Sequence, residues 1–422
     1  MVKLPVSNIN QLSTSTGSKK FLTLGEFEVT DIVGINNKLN EVYYIATPGD
    51  PRKRHLYSVS MEITSSALQP TRKCLSCDID EKCQYVRASF STSGKYYVIG
   101  CLGPGVPYFM LKSTDSNKTI TLEDNSGLKD KLKNKALPIQ RYMDIDIGNG
   151  QKMHSKVFLP PAFNKEEIIT YPLLLTVYGG PGSQQVTEKF EVRWPNYLSS
   201  AKNIICAFVD GRGTGARGDD FMHSVYKQLG DLEVKDTITA AKYFDSLSYV
   251  ESSKMAIWGW SYGGFLTSHV LGQQQSAGAK DLFECGIAVA PVTDWMYYDS
   301  VYTERYMSLP KDNNKGYTKG SVLQYAKNFK DSMFMLVHGT GDDNVHFQNS
   351  AQLMKALQEE DIHFTQQFYI DKQHSLSGMR PHLYKSMEDF LEECFNGISA
   401  KYEERMKVLG RKSDEKDGGS ER

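Results

Sequence analysis

The first part of the chain alternates hydrophobic and polar positions in short runs that are separated by turn residues. Alternation with a period of two is typical of β-strands with one buried face. The runs fall into two groups of four, each roughly 40–45 residues long, which is the period of a propeller blade. Two blades do not close a ring, so we expect exposed strand edges and apolar faces. The predicted strands are residues 21–24, 26–30, 41–46, 55–59, 86–90, 96–101, 108–111 and 119–122.

From residue 171 onward, buried-strand patterns alternate with helical ones. This alternation predicts a mostly parallel sheet with helices on both faces, an α/β architecture. The last residues, 401–422, are highly charged and end in Gly-Gly-Ser-Glu-Arg, which predicts a disordered tail. The predicted strands are residues 173–178, 204–210, 255–258, 285–290, 333–337 and 364–370, and the clearest predicted helices are 233–246, 348–359 and 381–394.

A candidate nucleophile lies between one of these strands and the following helical run. The sequence Gly259-Trp-Ser-Tyr-Gly263 follows an apolar run and precedes Gly264-Phe-Leu-Thr-Ser-His-Val-Leu271. A G-x-S-x-G sequence between a strand and a helix is the context that a nucleophile elbow requires. It places the Ser261 hydroxyl at the carboxyl end of the sheet and leaves the Tyr262 amide free to donate to an oxyanion. The alternative is an ordinary glycine-rich turn.

A serine nucleophile needs a base and an acid that orients the base. The order Ser, Asp, His along the chain is that of α/β-hydrolases. Acidic residues follow the predicted strand 333–337, and His374 follows the predicted strand 364–370. Spacing alone does not separate Asp342 from Asp343. The other histidines nearby, which we expect to be structural, are His269, His338 and His346.

Six sequence stretches, in the same order, make the chain similar to the prolyl oligopeptidase family, specifically its branch of dipeptidyl peptidase IV and fibroblast activation protein. They span roughly residues 20 to 398. The resemblance implies an α/β-hydrolase with a partial β-propeller, its last blades, at the N-terminus. It divides the chain into a propeller remnant at 1–135, a catalytic domain at 136–398 and a tail at 399–422. The stretches are Leu173-Leu-Leu-Thr-Val-Tyr-Gly-Gly-Pro-Gly-Ser183, Asp210-Gly-Arg-Gly-Thr-Gly215, Trp258-Gly-Trp-Ser-Tyr-Gly-Gly264, Ala288-Val-Ala-Pro-Val292, Tyr297-Tyr-Asp-Ser-Val-Tyr-Thr-Glu-Arg-Tyr306 and His338-Gly-Thr-Gly-Asp-Asp-Asn-Val-His-Phe347.

The resemblance also assigns roles to individual residues. It implies Ser261, Asp342 and His374 as the catalytic triad, and so favours Asp342 over Asp343. It implies that the Tyr178 hydroxyl and the Tyr262 amide form the oxyanion hole. Polar groups near the substrate backbone would be Asn344 and Arg305. The walls of a pocket for a proline ring would be Val292, Trp295, Tyr298, Tyr302 and Val345. Without the resemblance, these aromatic residues would be interpreted as core packing.

The expected activity is that of a serine exopeptidase that cuts peptides after a penultimate proline or alanine. The resemblance implies no cofactor and no metal, and a homodimer formed through the hydrolase domain. Two alternatives remain: a catalytically impaired truncated isoform that acts as a binding or dimerising partner, and a nonspecific esterase.

Two departures from the family pattern affect these expectations. Ser375 follows the candidate histidine where the family usually has glycine, so an unusual backbone conformation there would be strained. The chain is also expected to begin inside the propeller. The pair of glutamates by which the family binds a substrate's free amine has no counterpart before residue 135.

Composition excludes some partners and leaves the compartment open. A net charge of −1 over 422 residues provides no basic surface for nucleic acid. No run approaches a membrane span, and the first residues lack the apolar core of a signal peptide. Members of the family are type II membrane or secreted proteins. The sequon at Asn117 adds modest support for a secretory route and marks a candidate glycosylation site.

Seven cysteines allow two interpretations. Cys74, Cys77, Cys83 and Cys101 are compatible with four zinc thiolates, because an isolated C-x-x-C is ambiguous. The resemblance instead implies the disulfides Cys74–Cys77, Cys83–Cys101 and Cys285–Cys394. Cys206 would then remain as a buried free thiol.

Overall fold

The computed structural model describes residues 8–12, 14–25, 27–62, 71–275, 278 and 282–397. These residues form two compact units. The first contains residues up to Leu137 together with Pro181–Arg193 and Arg212–Ser224, and the second contains the remaining segments. The two inserted segments fall inside the range that the sequence assigned to the catalytic domain. The predicted tail at 399–422 lies outside the described residues.

The first unit consists of antiparallel sheets. One sheet has four strands in the order β3-β4-β5-β6, a second has the order β10-β9-β8-β7, and β1 pairs with β2. A short helix, α1 (Ser126–Lys133), follows the last strand. The strands are β1 (Asn10–Leu12), β2 (Lys19–Phe21), β3 (Val29–Asn36), β4 (Glu41–Ala46), β5 (His55–Ser60), β6 (Arg72–Cys74), β7 (Val86–Phe90), β8 (Tyr96–Cys101), β9 (Tyr108–Ser113) and β10 (Thr119–Glu123).

The two four-stranded sheets pack face to face within this unit. Tyr43 on β4 is 1% exposed and its ring stacks on Phe90 of β7, with the ring centroids 4.4 Å apart. The disulfide Cys83–Cys101 lies in the same cluster of buried side chains. On the outermost strand, β10, Ile120 and Leu122 remain exposed. Exposed apolar side chains on an outer strand agree with the expectation of exposed strand edges and apolar faces.

The first group of predicted strands was partly wrong. Residues 19–21 pair with β1 instead of joining the four-stranded sheet, and that sheet begins at Val29. Its fourth strand is β6, which contains only three residues, with exposed Arg72 and Lys73. A short polar edge strand carries too little hydrophobic alternation to be predicted from its sequence.

The second unit is built on one eight-stranded sheet in the order β11-β12-β14-β13-β15-β16-β17-β18. The pairs β11/β12 and β12/β14 are antiparallel and all later neighbours are parallel. The sequence missed β11 and β12 and located the other six. The strands are β11 (Ile139–Asp146), β12 (Lys152–Leu159), β13 (Tyr171–Val177), β14 (Ile205–Asp210), β15 (Val250–Trp260), β16 (Cys285–Val289), β17 (Met333–Gly339) and β18 (Thr365–Tyr369).

Helices cover both faces of this sheet. One core cluster joins one sheet face to helices that include α4 and α8, and the other joins the opposite face to α2 and α9. The three helices predicted from the sequence correspond to α4, α8 and α9. The helices after α1 are α2 (Trp194–Lys202), α3 (Asp219–Met222, in the first unit), α4 (Leu232–Asp245), α5 (Tyr262–Gln273), α6 (Ser300–Met307), α7 (Asn314–Lys319), α8 (Gln348–Glu359) and α9 (380–397). No helix in the described part of the chain is long and apolar enough to cross a membrane.

The structure contains the three disulfides that the resemblance implies, and Cys206 is a buried free thiol. The zinc-thiolate alternative was wrong, because all four sulfur atoms at 74, 77, 83 and 101 are paired. Among the described residues, one group, His55 with Cys74 and Cys77, places three ligand-type atoms within 4.8 Å of one another. Both sulfurs of that group belong to a disulfide, so they are not thiolate ligands.

The Cys285–Cys394 disulfide joins a central strand to α9 across 109 residues. Converting both cysteines to serine is expected to lower the free energy of unfolding of the second unit by about 2–5 kcal/mol, because a long loop is released in the unfolded state. The measurement is urea denaturation under nonreducing conditions, with unfolding monitored by tryptophan fluorescence. All four tryptophans, Trp194, Trp258, Trp260 and Trp295, lie in the second unit. The matched control is the double serine variant of Cys74 and Cys77 in the first unit, which should leave this transition unchanged.

Candidate active site

Ser261 occupies a strained turn between β15 and α5. Its φ and ψ are 61° and −119°, a conformation that side-chain-bearing residues rarely adopt. Its amide donates a hydrogen bond to the Val289 carbonyl oxygen at 2.8 Å, which ties the turn to β16. A Cβ atom at Gly263 would lie 2.2 Å from the Val177 carbonyl oxygen, so this position requires glycine. The turn therefore has the geometry of a nucleophile elbow.

Asp342 and His374 meet on the two loops that follow β17 and β18. His374 Nδ1 lies 2.7 Å from Asp342 Oδ2. The loops approach closely at Gly339, where a Cβ atom would lie 2.1 Å from the Lys372 carbonyl oxygen. Asp343 is exposed, whereas Asp342 is 6% exposed. The structure thus pairs His374 with Asp342 and leaves Asp343 facing solvent.

The Asp342 carboxylate accepts hydrogen bonds on both oxygens. Oδ1 accepts from the amides of Asn344 (2.9 Å) and Val345 (3.0 Å). Burial raises the pKa of this carboxyl group, but hydrogen bonds from His338, His374 and the Asn344 amide outweigh burial and hold the pKa well below its usual range. Asp342 is therefore ionised at neutral pH and able to stabilise a protonated His374.

His338, which was expected to be a structural histidine, orients Asp342. Its Nε2 lies 3.1 Å from Asp342 Oδ2 and 2.8 Å from the Val345 carbonyl oxygen, so this nitrogen must carry a proton. Its Nδ1 lies 2.7 Å from the Ser350 hydroxyl, which donates to it. His338 is fully buried. The signal in the sequence was its position at the end of the strand that leads to the acidic loop.

The elbow and the histidine loop are joined through Trp260. The indole N–H of Trp260 donates to the His374 carbonyl oxygen at 3.1 Å. Within the described residues, the Ser261 hydroxyl makes no hydrogen bond to any partner, and this includes His374. Such bonds are often long in the absence of substrate. The backbone strain that the sequence allowed for at Ser375 is instead at its neighbour Leu376, which has a φ of 47° and is fully buried.

The two candidate oxyanion donors are the Tyr178 hydroxyl and the Tyr262 amide. Tyr178 follows the end of β13, and its ring centroid is 6.2 Å from that of Tyr262. Burial raises the pKa of Tyr178, so its hydroxyl keeps its proton at neutral pH. The Tyr262 amide, in the first turn of α5, has no acceptor among the described residues. Both groups are available to donate to a developing oxyanion.

A fully enclosed carboxyl group, Glu233, lies behind these donors and was not identified from the sequence. It accepts a hydrogen bond from the Tyr262 hydroxyl at 2.7 Å. Burial raises the pKa of Glu233 to about 7. The signal that was available is an acidic residue in the first turn of a helix, next to Val234 and on the same helix as other core residues.

Aromatic side chains pack in a cluster that includes the Tyr262 ring. The Trp295 and Tyr302 rings are stacked at 6.0 Å, and Tyr298 packs edge-on against Tyr302 at 5.4 Å. The ring centroids of Tyr262 and Trp295 are 5.7 Å apart. Val292 and Val345 are buried. The three aromatic residues predicted to line the proline pocket are therefore close together in one cluster.

The two predicted polar groups are placed differently. Asn344 Oδ1 accepts a hydrogen bond from the Tyr298 hydroxyl at 2.8 Å. Arg305 is exposed, with its guanidinium 5.9 Å from the Tyr306 ring centroid. Asn117, the candidate glycosylation residue, is exposed between β9 and β10.

The parallel sheet covered by helices, with Ser261, Asp342 and His374 on loops at the carboxyl ends of its strands, defines an α/β-hydrolase. Two family models match: the prolyl oligopeptidase family over residues 190–397, and the N-terminal region of dipeptidyl peptidase IV over residues 6–108. The chain belongs to the prolyl oligopeptidase family. The family and the fold class predicted from the sequence are confirmed.

Several relatives are similar to this chain over most of its length. Dipeptidyl peptidase 4 of Sus scrofa is 43% identical over 397 residues, which cover 92% of this chain and 50% of the relative. Prolyl endopeptidase FAP of Homo sapiens is 41% identical over 382 residues, which cover 89% and 48%. The crystal structure of Porphyromonas gingivalis dipeptidyl peptidase 4 is 33% identical with a TM-score of 0.83, covering 92% of this chain and 52% of that one. The chain therefore spans about half the length of these relatives.

Proposed function

We propose that this protein is a serine dipeptidyl peptidase, which releases N-terminal dipeptides ending in proline or alanine through an acyl-enzyme. The observation that carries the proposal is the strained Ser261 turn on the same sheet edge as the hydrogen-bonded Asp342–His374 pair. The names of two relatives, dipeptidyl peptidase 4 and prolyl endopeptidase FAP, support it.

In this mechanism, the Ser261 oxygen attacks the carbonyl carbon of the second residue while His374 Nε2 accepts the hydroxyl proton. The Tyr178 hydroxyl and the Tyr262 amide donate to the oxyanion that forms. His374 then gives its proton to the leaving amine, and the peptide bond breaks. Water then attacks the carbonyl carbon of the resulting ester and gives a proton to His374. His374 passes this proton to the Ser261 oxygen as the ester bond breaks, which releases the dipeptide. Asp342 fixes the His374 ring so that Nδ1 carries a proton and Nε2 is free to accept one.

The aromatic cluster supports the choice of substrate. Flat rings on several sides suit a compact, rigid proline ring better than a flexible leucine side chain. We assign Tyr302 the central position, because it contacts Trp295, Tyr298 and Tyr306. Specificity should therefore depend on this side chain.

We predict that the protein cleaves Gly-Pro-p-nitroanilide at least about tenfold better in kcat/KM than Gly-Leu-p-nitroanilide, the discrimination that a shaped apolar pocket provides. Tyr302→Ala should remove most of this preference by opening the cluster. Val301→Ala is the matched control, because Val301 is the preceding residue of α6 and is 73% exposed. An unchanged preference in Tyr302→Ala would contradict the assigned pocket.

N-acetyl-Gly-Pro-p-nitroanilide distinguishes the remaining functions. A dipeptidyl peptidase prefers the free amine. Cleavage of simple esters without either peptide substrate would favour the esterase alternative. A folded protein that cleaves none of them would favour the binding-partner alternative, for which sedimentation tests the proposed homodimer.

A further inference from the structure

Glu233 is a buried acid that the proposed mechanism does not use. It lies in the first turn of α4 and is 2% exposed. One oxygen, Oε1, accepts hydrogen bonds from the Tyr262 hydroxyl at 2.7 Å and from the Gly230 amide at 2.6 Å. The other oxygen, Oε2, is buried without a partner among the described residues. Burying a half-satisfied carboxyl group is costly, so its presence here calls for a physical explanation.

Glu233 holds the side chain of Tyr262, a residue that contributes to the site through both its amide and its ring. Its amide is one of the two proposed oxyanion donors. Its ring, 3% exposed, packs against Tyr178, which carries the other donor, and against Trp295 in the aromatic cluster. A hydrogen bond at the far end of the Tyr262 ring therefore restrains both donors and one wall of the pocket.

Glu233 also adjoins the segment that carries the second donor. At Gly179, directly after Tyr178, a Cβ atom would lie 2.9 Å from Leu266 and 4.0 Å from the Glu233 Cβ. The acid thus lies beside both the Tyr178 segment and the Tyr262 ring. A group in this place can position the two donors relative to each other.

We propose that Glu233 is a positioning residue of the oxyanion hole, which acts by holding the Tyr262 hydroxyl and works best as a neutral acid. This inference rests on the proposed function. An oxyanion donor stabilises charge only if it is fixed before the reaction. A neutral acid holds Tyr262 without placing a negative charge behind the donors, whereas a carboxylate there would oppose the developing oxyanion.

The surroundings bring this acid into the range where its charge changes near neutral pH. Burial raises the pKa of Glu233 to about 7, against the lowering effect of hydrogen bonds from Gly230 and Tyr262, and nearby Asp231 raises it further. Below this pH the group is neutral, and above it the group is ionised. The facing titratable groups are Asp231, which is paired with Lys235 and Lys319; Tyr262 and Tyr302, whose pKa values burial raises; and His269, whose pKa burial lowers to about 4.

The experiment measures the rate at which a fluorophosphonate probe labels Ser261, and kcat and KM for Gly-Pro-p-nitroanilide, between pH 6 and 9. Glu233→Ala should lower the labelling rate and kcat about 10- to 100-fold, less than the 10²–10³ that removing a donor itself costs. KM should change less than kcat, because the donors act in the transition state. Tyr262→Phe, which keeps the ring, should lower kcat in the same way.

Glu233→Gln is the conservative variant, because its carbonyl oxygen still accepts from the Tyr262 hydroxyl and the side chain stays neutral at every pH. It should recover most of the activity that Glu233→Ala loses. The ratio of its kcat to that of the wild type should be several-fold higher at pH 8.5 than at pH 6. Added to Tyr262→Phe, it should cause no further loss at pH 6. The melting temperature of the wild type should fall relative to Glu233→Gln as pH rises from 5 to 8, since the neutral acid is the form that the fold favours.

Glu360→Gln, the same change at an exposed position, is the control and should match the wild type. If Glu233→Ala does not fold, Glu233→Gln and Tyr262→Phe decide the question. Wild-type labelling at Ser261 together with unchanged rates and pH profiles in these two variants would overturn the inference alone. A folded wild type that is not labelled at Ser261 would overturn the proposed function, and the inference with it.

Discussion

Replacing Ser261 by alanine is expected to abolish fluorophosphonate labelling and to lower peptide turnover by a factor of about 10⁶, the loss seen when a serine protease loses its nucleophile. The hydroxyl is the group that bonds to the acyl carbon, and no neighbouring side chain replaces it. The fold should be preserved, because alanine keeps the Cβ atom and the amide that donates to Val289. Labelling followed by peptide mass spectrometry, with circular dichroism for the fold, provides the measurement.

The matched control is Ser252→Ala, which removes an exposed hydroxyl from the same strand, β15. Its labelling and turnover should equal those of the wild type. Labelling at a different serine of the folded protein, with Ser261 unmodified, would show that the nucleophile has been assigned incorrectly.

Changing Asp342 to asparagine is expected to lower kcat by about 10⁴, as in another serine protease in which the same substitution leaves the wrong histidine tautomer. The hydrogen bonds of Asp342 explain why. Oδ1 faces the amides of Asn344 and Val345, so the asparagine carbonyl must occupy that place. Its NH₂ group then faces His374 Nδ1 and the proton-bearing Nε2 of His338.

A donor opposite His374 Nδ1 forces the imidazole to carry its proton on Nε2, where it is unable to accept the proton of Ser261. It also repels the His338 N–H. Steady-state kinetics on Gly-Pro-p-nitroanilide measure the loss. Asp343→Asn makes the same chemical change one residue later at an exposed position and should have little effect. A large loss in Asp343→Asn with normal turnover in Asp342→Asn would reverse the choice between the two acids.

The candidate triad could be predicted from the sequence because the signals for it are local in the chain. A glycine-flanked serine between a strand and a helix specifies its own backbone turn. The loops that follow parallel strands all lie at the same edge of the sheet. Ser261, Asp342 and His374 lie just after three of these strands, β15, β17 and β18. Arg305, expected near the substrate backbone, is exposed with its guanidinium 5.9 Å from the Tyr306 ring centroid, and its role stays a prediction.

Residues that act through another side chain were not predictable. Glu233 and Tyr262 are 29 positions apart, and His338 differs from any other buried histidine only in what it contacts. A hydrophobic pattern predicts on which face of a helix or strand a side chain lies, but not its hydrogen-bond partner. The strands β6, β11 and β12 were missed for a related reason, since their pairing with neighbours stabilises them more than their own alternation does.

By itself the sequence determined the two kinds of sheet, the order of nucleophile, acid and base, and the family, because periodicity and spacing are properties of the chain. Tertiary structure decided which acid meets His374, which residues form the first four-stranded sheet, and that four cysteines form disulfides instead of holding zinc. It also decided the placement of the buried acid behind the oxyanion donors. These outcomes depend on distances between residues far apart in sequence, and only packing of the whole sheet and its helices sets those distances.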